Sequence, residues 1–260
     1  MDRQSDSAEF TGQLAGLRPQ MRSFALRMLA HPEDAEDAVQ DTMLKAMNAR
    51  RQFRAESSLK TWAFSILTRT CLDQLRQRRR YTWDAQVAAK QSPDVDHRPL
   101  IAELRREDAM YDAREHLAFC FSCVGRTISP EESAAVLLKE VMGFTNREAA
   151  KVCGTSESVH RHRLSAGRRA MRDVFDDLCG LVSKKGVCYQ CSELRDKARS
   201  QRGGGPELSG DREGAFDSRV AVARDADLAD GASAALHRIM FRAVRQVGEQ
   251  ATMSGSVAEG

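Results

Sequence analysis

Residues 145–172 read TNREAAKVCGTSESVHRHRLSAGRRAMR. Thr145-Asn146-Arg147-Glu148 is a capping box, in which the threonine hydroxyl and the glutamate carboxylate each satisfy an amide that the first helical turn leaves open. The short helix it starts ends at Gly154, a natural left-handed stop. Ser156 then caps a longer helix. Within residues 151–172 Arg161, Arg163, Arg168, Arg169 and Arg172 face a single acid, Glu157. A short helix, a tight turn and a longer basic helix predict a helix-turn-helix. Its second helix is charged as a DNA-reading helix would be. Arg161 and Arg163 stand near the start, where guanidinium groups meet base edges and can pair with guanine. Arg168, Arg169 and Arg172 lie further along and suit phosphates. The competing reading is a solvated basic helix whose arginines favour its own C-terminal half.

Upstream, Ser129-Pro130-Glu131-Glu132 is a second capping box, with proline in the first helical position. That helix ends near Gly143, and another is expected from Leu100 to about Cys123. Residues 84–99 lose periodicity and contain Ser92-Pro93 and Arg98-Pro99, so they read as a linker. Before the linker, Phe10, Leu14, Leu17, Met21, Phe24 and Met28 recur in helical steps, with Pro19 placed to kink or divide the pattern. Pro32 opens a second helix, about Glu33 to Arg50, with Ala35, Ala38, Val39, Met43, Ala46 and Met47 inward. Ser58 caps a third, Leu59 to about Arg80, with Leu59, Trp62, Ala63, Ile66, Leu67 and Leu75 inward. The expected fold is all-α. A small helical domain covers 8–83, a flexible linker 84–99, and a helix-turn-helix domain with flanking cysteines 100–195. A C-terminal extension covers 196–260. Within it, SQRGGGPELSGDR at 200–212 is a flexible linker by composition, and a helix is expected from Asp227 to about Glu249.

Lys and Arg number 40 against 37 Asp and Glu, a net charge of +3, so the distribution of charge says more than its sum. The third helix ends in Arg76, Arg78, Arg79 and Arg80, with Trp62, Phe64, Tyr81 and Trp83 nearby. Basic groups interleaved with aromatics suit single-stranded DNA, because bases stack while arginine neutralises phosphate. The alternative is a buried tryptophan and a soluble helix end. In the second helix Glu33, Asp34, Glu36, Asp37 and Asp41 follow one another without a base. Acids in a first turn favour the helix dipole. Asp41 lies too far in for that, and an acidic stripe beside a DNA-binding domain suits a basic protein partner.

No apolar run approaches the roughly 20 residues needed to span a bilayer. MDRQSDSAEF has no apolar signal core, so the cytosol is the expected compartment and no membrane partner is expected. No nucleophile–base–orienter set is visible, so an enzyme is not expected. Cytosolic cysteines are usually thiols, metal ligands or redox sites. Cys120 and Cys123 precede the helix-turn-helix, and Cys179, Cys188 and Cys191 follow it. Two C-x-x-C pairs could give four thiolates to one tetrahedral zinc, with Cys179 as a substitute ligand. A thiol–disulfide switch and plain packing of small apolar side chains are the alternatives. Cys71 and Cys153 sit within helices and read as structural.

Taken together, DAEDAVQDTMLKAM, FRAESSLKTWAFSI and the run from SPEESAAVLLKEVMGF through SESVHRHRLSAGRRAM resemble an extracytoplasmic-function (ECF) sigma factor of bacterial RNA polymerase. The resemblance covers about residues 10 to 178, with the linker unmatched. It implies a dissociable subunit that binds core RNA polymerase and promoter DNA, with an anti-sigma factor as a further partner. Asp37, Gln40 and Asp41 would contact the polymerase. Phe53, Arg54, Ser57, Ser58, Lys60, Trp62 and Arg69 would read melted bases of the minus-ten box, and Arg76, Arg78 and Arg79 would follow its backbone. Ser156, Ser158, Arg161, His162, Arg163 and Arg168 would read the minus-thirty-five box. Two positions depart from the family pattern: Arg69 stands where asparagine is usual, and His160 where an apolar residue is usual. His160 is therefore expected to be a half-buried packing residue. Gly167 also faces inward and should weaken its helix by roughly 0.5–1 kcal/mol relative to alanine. The rival to this reading is a stand-alone helix-turn-helix regulator, which could be a zinc- or thiol-dependent sensor.

Overall fold

The computed structural model describes residues 3–29, 31–77, 121–122, 124–125, 127–178 and 212–225. The expected linker, Arg78, Arg79, the cysteines Cys120, Cys123, Cys179, Cys188 and Cys191, and the helix expected at 227–249 lie outside these residues. Among the described residues the regular structure is helical, without a strand. Helices α1 (Arg3–Gly16), α2 (Arg18–Leu29), α3 (Pro32–Asn48) and α4 (Leu59–Gln77) form the first group. A 3₁₀ turn at Arg50–Gln52 follows α3. Helix α5 (Pro130–Val136) runs on into a π-helical turn at Leu137–Val141, and α6 (Asn146–Cys153) and α7 (Glu157–Leu178) complete the helix-turn-helix. Helix α8 (Arg212–Asp225) belongs to the C-terminal extension.

The described helices fall into two compact units. The first holds α1 to α6 and α7 as far as Arg168. Its centre is α4, which packs against α2 and α3 on one side and α6 on another. Alanines at 25, 35, 38, 46 and 63 are buried, and their small side chains let these helices approach closely. Phe64 fills the centre, edge-to-face with Phe24 at 5.7 Å and with Phe144 at 5.1 Å, the favoured geometry for aromatic pairs. Arg27 is buried too, its guanidinium donating to the Ser23 carbonyl at 3.2 Å and to the Ser23 hydroxyl. Cys71 is fully buried, and burial pushes its thiol pKa up, as a structural cysteine requires.

The local signals hold in detail. Pro19 falls in the first turn of α2, after the chain divides at Leu17. The Ser58 hydroxyl accepts from Thr61 N–H at 3.1 Å and so caps α4. In each of the two capping boxes the N-cap hydroxyl accepts from the glutamate N–H at 3.2 Å, and the glutamate carboxylate accepts from the N-cap N–H. Gly154 has φ +63°, the left-handed stop that ends α6. Two inward assignments change. Met47 is 39% exposed, because Ala46 takes the inward place in the last turn of α3. Phe64 is fully buried, although the expected inward stripe passed over it; with Ala63 and Leu67 it widens that stripe to cover two neighbours.

The second unit joins Phe121, Val124, the end of α7 and α8. Phe121 lies 6.3 Å from Phe175 and 5.9 Å from Phe216. Arg219, 1% exposed, stacks over the Phe175 ring at 4.3 Å, and Arg172 over Phe216 at 5.3 Å. Helix α8 is new: the glycine-rich stretch was read as continuing to 212, and the spacing of Phe216, Val220 and Ala223 was its signal. Truncation at Ser200 should therefore uncover Phe121 and Phe175, both now at most 2% exposed. We expect a lower thermal midpoint and aggregation of the shortened chain by light scattering; an unchanged midpoint would show that α8 adds nothing to this core.

Gly167 faces α5. A Cβ built there would meet Val136 Cγ2 at 2.9 Å and the Glu132 carbonyl oxygen at 3.2 Å. Close approach between helices, not helix propensity, explains the glycine. Gly167→Ala should therefore destabilise by about 1–3 kcal/mol through overpacking, outweighing the roughly 0.5–1 kcal/mol that alanine gains in a helix. Urea denaturation checks the sign, and a higher midpoint in the variant would contradict the packing account.

Candidate nucleic-acid interface

The loop between α3 and α4 makes a notch of about 590 Å³ lined by Arg51, Gln52, Phe53, Arg54, Glu56, Ser57 and Trp62. Phe53 and Trp62 lie 5.3 Å apart, and Phe10 of α1 completes the aromatic group at 6.2 and 6.3 Å from them. Arg50 sits over the Phe10 ring at 6.0 Å. Ala55 turns the loop with φ +54°, a conformation that a residue with a Cβ adopts at a cost. A flat, half-open aromatic wall with guanidinium groups on its rim can stack a base and neutralise its phosphate. Of the residues expected to read single-stranded DNA, Phe53, Arg54, Ser57 and Trp62 are brought together here. Phe10, Arg50, Arg51 and Gln52 were not foreseen. The run RRQFR carried a basic signal, but nothing in the sequence linked Phe10, one helix away, to Trp62.

The other expected residues lie outside the notch. Ser58 serves as the α4 cap, and Arg69 is exposed on α4. Lys60 is half-buried, donating to the Met142 carbonyl at 3.2 Å with its ammonium 4.8 Å from the Phe144 ring centroid. Burial pulls its pKa down, opposed by the Glu148 carboxylate. Arg76 pairs with Asp73 at 3.0 Å and Glu131 at 3.4 Å.

On α3, Asp37 and Gln40 are exposed, while Asp41 is intermediate and pairs with Lys45 at 2.6 Å. Gln40 donates to Glu36 at 3.3 Å, and Glu36 takes ion pairs from Arg18 and, at 3.5 Å, Arg22. The acidic run is thus partly neutralised from α2 at Glu36, and Asp37 keeps an outward face. Leu44, 65% exposed, and Met47 extend that face with apolar surface.

On α7 the Ser156 hydroxyl accepts from Val159 N–H at 3.2 Å, which caps the helix. Ser158, Val159, Arg161 and His162 are exposed, and Arg163 is half-exposed. This outward face is what a helix in a major groove requires. Arg161 pairs with Glu157 at 2.5 Å, and Arg168 with Glu140 of the π-helical turn at 3.6 Å. Cys153 is half-buried, and burial raises its thiol to about 11 despite the nearby Arg163. Among the described residues no cluster of histidine, cysteine, aspartate or glutamate could hold a metal, and no helix is long and apolar enough to cross a membrane.

With this geometry in view, two family models match the chain: Sigma-70 region 2 over residues 15–81 and Sigma-70 region 4 over residues 126–171. Region 2 followed by region 4 is the arrangement that the sequence resemblance implied. In two separate stretches the chain is thus similar to sigma factors. It is 29% identical over 179 residues to ECF RNA polymerase sigma factor SigG of Mycobacterium tuberculosis, covering 64% of this chain and 48% of that protein. It is 25% identical to ECF RNA polymerase sigma factor EcfG of Rhodopseudomonas palustris, covering 58% and 76%. The chain thus spans about half the length of its SigG relatives. Among solved structures it is similar to the sigma factor RpoE of Bartonella quintana, crystallised with the anti-sigma factor NepR. The TM-score is 0.46 and the identity 24%, over 65% of this chain and 97% of that one.

His160 departs from expectation: it is fully buried, not half-buried, and neither ring nitrogen has a hydrogen-bond partner among the described residues. Burial holds its pKa below the ordinary 6.5; Lys139 and Arg163 lower it further, and Glu157 opposes them. The folded protein therefore keeps His160 neutral where the unfolded chain binds a proton, so this residue costs stability as pH falls below 6.5. His160→Leu should flatten the acid limb of the stability curve between about pH 6.5 and 5. Urea midpoints across that range read the difference, and parallel curves would place the acid sensitivity elsewhere.

Proposed function

We propose that this chain is a dissociable sigma subunit that binds bacterial core RNA polymerase and directs promoter-specific initiation. The observation that carries the reading is the aromatic notch of Phe10, Phe53 and Trp62 with its arginine rim, in one chain with a capped helix-turn-helix. A flipped base leaves its stack at a cost of a few kcal/mol, which stacking in such a notch can offset. The outward face of α7, with Ser158, Arg161, His162 and Arg163, reads the minus-thirty-five box. Arg161 and Arg168 exchange their present carboxylates for DNA as they bind. Asp37, Gln40 and Asp41, beside exposed Leu44, meet the polymerase. The role is binding, not catalysis. A stand-alone regulator would have no use for the notch or for the acidic, partly apolar face of α3.

The decisive experiment is reconstituted transcription from genomic fragments with sigma-free core polymerase and the purified chain. Discrete, promoter-dependent starts are expected. Trp62→Ala should reduce open-complex formation by about tenfold or more, since one base stacked on an aromatic ring contributes about 1–3 kcal/mol. The Asp37→Lys, Asp41→Lys double variant should fold normally and lose core binding. Wild-type core affinity in that variant would refute the assignment of α3. Duplex binding should weaken steeply with salt, as phosphate neutralisation requires, and a flat response would remove DNA from the role of α7. The zinc reading of Cys120, Cys123, Cys188 and Cys191 forms part of the proposal. It expects about one zinc per purified chain, lost when Cys188 and Cys191 become serine, and metal-free wild-type protein would leave only the thiol and packing alternatives.

A further inference from the structure

We propose that α8 of the C-terminal extension draws Arg172 out of the DNA-facing stripe of α7, and so limits how tightly the helix-turn-helix holds a duplex. The inference rests on the DNA reading of α7 given above. It adds a role for the extension, to which that reading gives none.

An α-helix turns about 100° per residue, so eleven residues make three turns and about 20° more. Arg172 therefore stands almost directly behind Arg161, about 16.5 Å further along α7. Ser165 and Arg168 lie on the stripe between them. The major groove is about 12 Å wide, so a stripe that starts at base edges ends at the phosphates of the groove wall. By position alone Arg172 is a phosphate contact. Its actual contact is different. The guanidinium carbon lies 5.3 Å from the centre of the Phe216 ring, and Nε is closed off from solvent. Phe216 itself is 1% exposed.

A second rung shows what holds it there. Three residues further along each helix the roles are exchanged: the Arg219 guanidinium of α8 lies over the Phe175 ring of α7 at 4.3 Å. Cation and ring thus alternate across the seam between the end of α7 and α8. Attraction between a cation and a ring face grows as both leave water, and Phe175 and Arg219 are almost fully buried. Phe121 closes the seam against both rings. The inner rung is out of reach of a duplex, and it seats α8 so that the Phe216 ring lies against Arg172. Arg172 cannot follow a phosphate without leaving that ring. It is an anchor of the extension, and α7 meets DNA with one cation fewer than its sequence offers.

The test titrates the full chain into a labelled duplex of mixed sequence, by fluorescence anisotropy, across about 50–200 mM salt. Arg172→Met keeps the stem against Phe216 and removes the charge. It should bind as the wild type does, with the same salt slope. Phe216→Leu keeps an apolar side chain in the seam and removes the ring face; circular dichroism checks that α8 remains folded. It should bind about five- to tenfold tighter near 0.1 M salt, with a slope steeper by about 0.9, the effect of one more neutralised phosphate. The double variant should return to the wild-type values. Weaker binding by Arg172→Met alone would show that this arginine already serves DNA, and would overturn the proposal even if Phe216→Leu failed to fold. No gain in a folded Phe216→Leu, or a gain that survives in the double variant, would overturn it as well. Arg161→Ala separates the two readings. If it weakens binding while the 172 and 216 variants change nothing, the DNA reading of α7 stands and the role of α8 falls. If neither Arg161→Ala nor salt weakens binding, both fall.

Discussion

Everything in the first unit depends on α4 having two buried sides. An amphipathic helix normally covers one neighbour along a single apolar stripe. Here Ala63, Phe64, Leu67 and Cys71 are all fully buried, and Phe64 touches a ring on each side. The same helix starts at Ser58, immediately after the loop that shapes the notch. Its position therefore fixes three things at once: the core of the first group, the seat of the helix-turn-helix, and the orientation of Trp62. A shift of α4 would be felt in all three.

A second theme is that the arginines of α4 and α7 are held by nearby acids. Arg161 rests on Glu157, Arg168 on Glu140, and Arg76 on Asp73 and Glu131. The pairs exposed on both sides, Arg161–Glu157 and Arg76–Asp73, contribute little on their own. Such pairs hold long side chains in place.

Caps, turns and the basic helix were legible because each is set by a handful of neighbouring residues. Thr145 with Glu148, Ser129 with Glu132, and Gly154 behave in three dimensions as their types dictate. Half of the notch was legible for the same reason: Phe53, Arg54, Ser57 and Trp62 are close in sequence. Phe10 was not, since only the fold of α1 over α4 brings it there. The buried place of Phe64 was missed because a stripe read for one neighbour leaves no room for a second. Helix α8 was missed because the glycines before it outweighed a pattern of three apolar residues. His160 was correctly set facing inward, but its depth depends on how closely α5 and α7 approach, which no single helix encodes.

That approach has a consequence for how the sequence can drift. Gly167 and Val136 share one small space. A side chain can be gained at 167 only if one is trimmed at 136, and Glu132 contributes backbone that no substitution removes. The two positions should therefore change together among descendants of this chain, as an exchange of volume between α5 and α7, while each alone stays fixed. The pair is a marker of helix spacing written in two residues.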